Sequence, residues 1–330
     1  MKAVMRTNNL KIIVFAGVAL LSFSCKKSSA PASKDVWTTY PTNGTIIWSI
    51  AIDSQGNKWF ASFGNGLMKF DGAHWTTYDT SNSGLANNYP SVIAIDARGN
   101  KWIGSNGAGV SKFDGTNWVT YNTTNSGLLY NTIDGIAFDA QNNIWFATFK
   151  GISRFDGANW TNYDTSASDL KSMVNSAAID PQGNKWFATY GGLLKFDGTN
   201  WTTYDAANSG LPNAYAVSIA FDAQGNKWFG TGAGVSEFDG THWTLYDTAN
   251  SGLANNLVQS IAIDVQGNKW FGTANGVSKF DGTHWTTYNT SNSGLYNKNA
   301  PFNDEVGSIA IDAQGNKWFA GPGISELQQP

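Results

Sequence analysis

The chain is poor in the residue types from which many active sites are built. Its 330 residues include one cysteine, three histidines and three glutamates. A single cysteine excludes an internal disulfide framework, and thiol chemistry would have to rest on that one residue. Charged residues make up only 14% of the chain. Without the three cations of the N-terminal segment, 18 basic residues stand against 24 acidic ones, and no basic cluster follows. This balance argues against a nucleic acid as partner.

In place of such residues the chain has a repeat. A motif that begins as Asp53-Ser-Gln-Gly-Asn-Lys-Trp59 recurs seven times, about every 42 residues. Each of the first six copies precedes a stretch similar to Gly-hydrophobic-Ser-Lys-Phe-Asp-Gly and then one similar to Trp-Thr-Thr-Tyr, and the seventh precedes Gly323-Ile-Ser-Glu-Leu327 alone. A period of this length, rich in Trp, Gly and Asp, is typical of β-propeller blades. In the sixth unit the pattern predicts four short strands, counted outward from the propeller axis, at residues 260–263, 269–273, 276–280 and 284–288.

The two ends of the repeat array predict the number of blades. Residues 35–40 resemble a fourth strand with no first three before it, and residues 307–327 supply three strands with no fourth. Together they complete one blade, which closes a ring and removes open sheet edges. We therefore predict one all-β domain over 35–330, a seven-bladed propeller of four-stranded blades. Fourteen of the fifteen Trp fall at the repeat positions of Trp59 and Trp75, so we expect both sets in the core.

The N-terminus has the features of a processing segment. Three basic residues precede an apolar run over 12–23, which is too short for a permanent membrane span and typical of a secretory signal. We predict a signal peptide over 1–24, followed by Cys25 and a flexible tether over 25–34. The segment resembles a bacterial lipoprotein signal, although Ser22 stands where Leu is usual. The resemblance implies a diacylglycerol anchor on Cys25, and we expect the outer membrane of a Gram-negative bacterium, on either face. An ordinary secreted protein with a free thiol is the alternative.

From Asp53 through Leu327 the repeats resemble the two-component regulator propeller family, whose pattern is Asp-x-x-Gly-Asn-x-Trp followed by Gly-Val/Leu-Ser-Lys/Arg-Phe-Asp-Gly and then Trp. In that family the propeller is often the sensor half of a membrane receptor, and many members recognise glycans. We expect neither a kinase core nor a further receptor domain, so the resemblance implies a recognition module standing alone on a lipid anchor. The repeats are also similar to those of streptogramin lyases, but the His and Glu expected on the channel face have no evident counterparts.

Comparison of the seven units predicts where a ligand would bind. The turns between strands one and two and between strands three and four are nearly identical, whereas the loops at the opposite face differ between units. Aromatic and polar side chains around a concave mouth suit a glycan, a peptide or an envelope protein. A plug of mutually packed aromatics is the alternative. The candidate ligand-binding residues are Trp48, Phe63, Tyr89, Asp134, Lys150, Asn175, Tyr190, Tyr215, Gln259, Tyr296, Phe302, Asp304 and Glu305.

An enzyme is the less favoured hypothesis. The three histidines share one repeat position, just before the outer-strand Trp, which indicates a turn. The acids expected on the variable face, Asp134, Asp169, Asp304 and Glu305, have no spacing that brings two together at a catalytic separation. The Asp-x-x-Gly-Asn turns lack the bidentate Glu of a calcium loop, so we predict neither metal nor cofactor. We expect a monomeric, non-catalytic module; the alternative is a polysaccharide lyase or hydrolase, or a streptogramin-lyase-like enzyme, acting at the mouth.

Overall fold

The computed structural model describes residues 35–40, 42, 44–164, 173–213, 215–296 and 304–329. The predicted signal peptide, Cys25 with its tether, Asp169 and Phe302 lie outside these ranges. The described residues form strands and turns without a helix, so they contain no helical segment that could cross a bilayer. The predicted all-β class is confirmed.

Within the described ranges, twenty-eight strands form seven antiparallel four-stranded sheets, the blades of a propeller. Blade 7 is built from both ends of the folded chain, and blades 1 to 6 are each consecutive in sequence. The first strands are β1 (Val36–Tyr40), then in blade 1 β2 (Ile47–Ile52), β3 (Lys58–Ser62), β4 (Gly66–Phe70) and β5 (Trp75–Tyr78), and in blade 2 β6 (Pro90–Ile95), β7 (Lys101–Ser105), β8 (Val110–Phe113) and β9 (Trp118–Tyr121). Blade 3 has β10 (Ile133–Phe138), β11 (Ile144–Thr148), β12 (Gly151–Phe155) and β13 (Trp160–Asp164), and blade 4 has β14 (Val174–Ile179), β15 (Lys185–Thr189), β16 (Gly192–Phe196) and β17 (Trp201–Tyr204). Blade 5 has β18 (Ala216–Phe221), β19 (Lys227–Thr231), β20 (Gly234–Phe238) and β21 (Trp243–Tyr246), blade 6 has β22 (Val258–Ile263), β23 (Lys269–Thr273), β24 (Gly276–Phe280) and β25 (Trp285–Tyr288), and blade 7 has β26 (Ser308–Ile311), β27 (Lys317–Ala320), β28 (Ile324–Gln328) and β1.

The ring is closed as the sequence predicts. Strand β1 pairs antiparallel with β28, with Val36 opposite Gln328 and Tyr40 opposite Ile324. The Tyr40 hydroxyl donates a hydrogen bond of 3.0 Å to the Glu326 carboxylate on β28. The two ends of the folded chain thus share one sheet, in which the N-terminal strand β1 forms the outer edge.

The Asp of each repeat motif joins a hairpin to the buried Trp of its own blade. Asp53 Oδ1 accepts the Asn57 backbone N–H at 2.9 Å, and its Oδ2 accepts the Trp59 indole N–H at 2.9 Å. The same Asp–Trp bond occurs in all seven blades, at 2.9 to 3.2 Å. A buried indole N–H needs an acceptor, so the motif satisfies the indole and shapes the turn at once.

The core lies between blades. The seven Trp of the second strands are 2% exposed or less, and each belongs to a cluster that includes the neighbouring blade. Trp102 of blade 2, for example, contacts Phe146 of blade 3, with ring centroids 6.1 Å apart. Lysines of the second strands reach across the same seams, as in Lys101 and Asp53 at 3.8 Å. Neighbouring blades are therefore held by aromatic burial, and four of the seven seams also carry a Lys–Asp ion pair among the described residues.

The expectation that both Trp registers are core is wrong for the outer one. The Trp of the fourth strands are half-buried, and Trp75 is 38% exposed. In five blades a loop glycine covers this ring so closely that a Cβ there would collide with the indole, as at Gly84 against Trp118. In the described part of the connection from β1 to β2, a Cβ at Gly44 would meet no atom within 4 Å, so this glycine does not cover Trp75, which is the more exposed ring.

Candidate functional site

A β-bulge begins each inner strand of blades 1 to 6. In blade 1, Ile47 pairs with Ser62 and Ser49 pairs with Ala61, so Trp48 is an extra residue without a partner on β3. A bulge re-aims the side chain of the inserted residue and ends regular pairing. The six inserted residues are Trp48, Ser91, Asp134, Asn175, Val217 and Gln259, with Gly307 at the equivalent place in blade 7. The most variable position of the repeat is thus the one that leaves the ladder.

Backbone hydrogen bonds hold a second set of variable residues above the bulges. The N–H of Phe63, in the turn after β3, donates to the carbonyl of Ile46 at 2.9 Å. Equivalent bonds fix the corresponding turns of blades 2 to 6 at 2.9 to 3.4 Å. Because the blades are simple antiparallel meanders, these turns and the bulges lie at the same end of the blades. The turn residues so fixed are Phe63, Asn106, Phe149, Tyr190, Gly232 and Ala274.

These elements enclose a cavity of about 610 Å³ at the mouth of the central channel. Residues of all seven blades line it. Seven of the predicted ligand-binding residues are among them, namely Trp48, Phe63, Tyr89, Asp134, Asn175, Tyr215 and Gln259. A smaller adjoining cavity of about 220 Å³ shares Trp48 and Gln259 and adds Glu305. The volume suits an oligosaccharide or short peptide segment.

Four other predicted residues do not line the main cavity. Tyr296 packs its ring against Gly323, and its N–H donates to the Ser325 hydroxyl at 2.8 Å. The Asp304 carboxylate accepts the Thr290 N–H at 3.2 Å, which is the loop role that Asn side chains play in other blades. The remaining two are exposed, with Lys150 placed over the Tyr130 ring at 5.1 Å and Tyr190 packed on Tyr215 at 4.7 Å.

Aromatic side chains of the variable face are exposed rather than packed as a plug. Trp48 is 52% exposed, Phe63 46% and Tyr89 47%. Their ring centroids are 6.0 Å apart for Trp48 and Phe63, and 5.2 Å apart for Phe63 and Tyr89, in tilted and edge-on arrangements. We call these three rings the aromatic crescent. Tilted rings leave faces uncovered, so the crescent can receive the apolar face of a ligand.

The main cavity has one carboxylate among its described lining residues, that of Asp134. Asp134 lies on the bulge of β10 and has no hydrogen bond or ion pair with any described residue. Burial raises the pKa of its carboxyl to about 6. The side chains on the two adjacent bulges already have hydrogen-bond partners: Ser91 donates to the Ile133 carbonyl, and Asn175 donates to the Ala216 carbonyl at 2.8 Å. When the Asp134 carboxyl is ionised, no described residue supplies a hydrogen-bond donor or a cation to it.

Sequence reasoning missed a second layer of polar groups below the bulges. The position that follows the bulge in blades 1, 4, 5 and 6, and the equivalent position of blade 7, holds a serine that lines the cavity: Ser49, Ser176, Ser218, Ser260 and Ser308. Ser49 accepts the Ile93 N–H at 3.2 Å, and Ser308 accepts the Ile50 N–H at 3.1 Å, so these two hydroxyls link neighbouring blades. The hydroxyls of Ser218 and Ser260 are buried without a partner among the described residues. The signal in the sequence for this layer is a serine at the same repeat position in five of the seven units.

The three histidines lie elsewhere, in the turns between third and fourth strands. His242 is paired with Asp239 of the same turn at 3.3 Å, and its side chain is 80% exposed. His74 and His284 repeat this pairing at 3.6 Å. This agrees with their interpretation as turn residues, at the end of the blades away from the bulges.

Fold and site together define a seven-bladed propeller with a diversified channel mouth. No family model matches the chain, and no curated protein matches it either. Several solved structures do match the chain. The extracellular domain of the hybrid two-component system BT3049 of B. thetaiotaomicron has a TM-score of 0.77 at 22% identity, over 91% of this chain and 41% of that one. That of BT4673 from the same organism has a TM-score of 0.71 at 17% identity, over 88% and 39%.

A catalytically inactive virginiamycin B lyase from Staphylococcus aureus with quinupristin is also similar. Its TM-score is 0.73 at 16% identity, over 90% of this chain and 99% of that one. The chain spans about two fifths of the two-component extracellular domains and nearly all of the lyase. At these identities the likeness is one of fold, so the resemblance to the two-component regulator propellers is confirmed at that level.

Proposed function

We propose that this protein is a non-catalytic recognition module whose ligand binds at the channel mouth. The observation that carries the proposal is the bulge position. Six inner strands insert one residue at the same place, and those residues differ in size and polarity while the flanking repeat stays nearly uniform. Packing of equivalent blades gives no reason for such variety, whereas recognition of an asymmetric ligand does.

A glycan is the ligand class that the lining supports best. Exposed aromatic rings stack on the apolar faces of sugars, and amide or hydroxyl groups beside them fix orientation. The crescent of Trp48, Phe63 and Tyr89 supplies rings, and Asn106 and Gln259 supply amides in the same cavity. A peptide or envelope protein is the competing partner class.

We infer that the module acts in the cell envelope, held by a lipid on Cys25. The support is the apolar run over 12–23 followed by the one cysteine of the chain. Two solved structures that share its fold are extracellular domains, which agrees with an exported protein.

A screen of envelope glycans and peptides against the purified domain tests the proposal. Binding to a member of the panel should be lost or weakened in Trp48→Ala, and retained in a variant changed on the opposite face, such as His242→Ala. If every ligand binds both variants equally well, the mouth is not the binding site and the proposal fails.

One observation favours a catalytic alternative. Asp134 combines a free carboxyl with a pKa of about 6, which suits a general acid. Glycoside hydrolysis requires a second carboxyl group, and the described residues that line the main cavity include no other acid, histidine or lysine. A polysaccharide lyase or hydrolase would release new chain ends from a glycan substrate, and Asp134→Asn would abolish that release while leaving Trp48-dependent binding intact.

A further inference from the structure

The charges at the mouth are of one sign. Asp134 is the charged residue among the described lining of the main cavity, and Glu305 belongs to the adjoining one. The Glu305 carboxylate already accepts the Gln259 side-chain N–H at 2.6 Å, so it has a partner. No lysine, arginine or histidine lines either cavity among the described residues. A phosphate, sulfate or uronate would meet no cation here and would be repelled by the carboxylates.

A neutral ligand would cover the Asp134 carboxylate without neutralising its charge. The carboxylate of Asp134 is partly removed from water by its place on the bulge, and it has no donor on the protein. Covering it with a neutral ligand would bury a charge whose compensation is incomplete, and this costs free energy. An ammonium group would instead supply a charge-assisted donor at the same point.

The crescent indicates what should carry that ammonium. Trp48, Phe63 and Tyr89 form three successive ring platforms at centroid spacings of 6.0 and 5.2 Å, with about half of each side chain exposed. The rings are inclined to one another by 42° and 67°, so each presents a separate face to the apolar C–H side of one pyranose ring in an oligosaccharide. A lysine side chain would share the ammonium but has no flat face to cover the rings.

We propose that the ligand is an amino sugar with a free amine, bound as a short oligomer with its rings on the aromatic crescent and one ammonium paired with Asp134. This inference rests on the proposed function and narrows it, from glycans in general to cationic ones. It assigns Asp134 as the specificity-determining residue and the crescent as the platform.

Calorimetric titration with glucosamine oligomers tests the inference, because the same oligomers in N-acetylated form keep the rings and remove the charge. Near neutral pH the free-amine oligomer should bind at least about tenfold more tightly than its acetylated counterpart, since hydrogen bonds between charged partners are stronger than neutral ones. Asp134→Asn should remove this preference. The control Asp239→Asn makes the same charge change on the opposite face and should retain it.

The outcomes separate this inference from the broader function. Equal or tighter binding of the acetylated oligomer, lost in Trp48→Ala, would overturn the ammonium pairing and leave glycan recognition standing. Binding of a lysine-containing peptide in place of any sugar would overturn the ligand class. The comparison of the two oligomers uses the unaltered protein, so it decides the matter even if Asp134→Asn fails to fold. Failure of the free-amine oligomer to bind would also overturn the inference.

Discussion

The Lys58 ammonium of blade 1 lies 3.5 Å from the Asp312 carboxylate of blade 7, across the seam where the ring closes. Both side chains are nearly buried, and the Lys58 ammonium also lies 4.7 Å from the centre of the Trp318 ring. Burial by itself raises the pKa of Asp312, but hydrogen bonds from Asn316 and Trp318, together with Lys58, outweigh it and lower the pKa. Two residues more than 250 positions apart in sequence thus form an ion pair between the first and the last blade.

Loss of this pair should weaken ring closure. We expect Lys58→Met to lower the free energy of unfolding by about 1–3 kcal/mol, because the buried Asp312 carboxylate loses its counter-ion but keeps its hydrogen bonds. Chemical denaturation measures the change. Lys185→Met is the matched control, since Lys185 has the same repeat position but lies over the Trp145 ring without an ion pair among the described residues. A loss as large in Lys185→Met would contradict the assigned role of the pair.

Strand β1 should be required for the stability of the whole ring. Removal of residues 35–40 leaves β28 as an open edge and removes Trp37, whose ring stacks on Phe319 at 5.6 Å. Trp37→Ala alone should lower the free energy of unfolding by about 2–4 kcal/mol. Trp75→Ala should lower it by less, because Trp75 is the more exposed ring at the same repeat position. Thermal unfolding compares the three variants. An unchanged midpoint for the truncated domain would disprove the closure.

Stability should fall in acid. In Asp53 burial raises the pKa, but the hydrogen bonds from Asn57 and Trp59 and the Lys101 charge outweigh it, so the pKa lies below its usual 3.8; five equivalent Asp are also lowered. A carboxyl whose pKa is lower in the folded state contributes stability in full above its unfolded pKa, and loses it as pH falls through the folded value. Melting temperatures should therefore decline below about pH 4, with a shallower decline in Asp53→Asn. A flat profile down to about pH 2.5 would refute this account.

Trp48 should matter for binding more than for folding. Because its side chain is 52% exposed and belongs to a bulge, Trp48→Ala should cost little stability. It should weaken ligand binding by about 1–3 kcal/mol through lost stacking. His242→Ala, in an exposed turn at the other end of the blades, should change neither quantity. Titration and thermal melts of both variants give the answer, and unfolding of Trp48→Ala would identify Trp48 as a structural plug.

Cys25 should determine membrane association. If it carries a diacylglycerol, the protein should partition into the detergent phase, and Cys25→Ala should move it to the aqueous phase because the acyl chains supply the apolar area. Phase separation with Triton X-114 measures the shift. Equal partitioning of the two forms would show that the cysteine is not acylated.

The repeat in the sequence by itself determined most of the architecture. Strand class, blade count and ring closure follow from periodicity and from the incomplete units at residues 35–40 and 307–327, because each blade buries its faces only against neighbours of the same kind. Even the face of the disc that varies could be predicted, since antiparallel meanders put alternate turns at the same end.

Tertiary structure decided what individual side chains do. A bulge takes Trp48 out of the strand ladder, and the Thr290 N–H donates a hydrogen bond to the Asp304 carboxylate. Both features depend on strand register and loop contacts, which the spacing of residues in the sequence does not encode. Trp59 and Trp75 are the same residue type at equally regular positions, yet one is buried in the seam and the other is 38% exposed. A repeat specifies which elements recur, but the exposure and partner of each side chain depend on the neighbouring blade and on the loop that covers it.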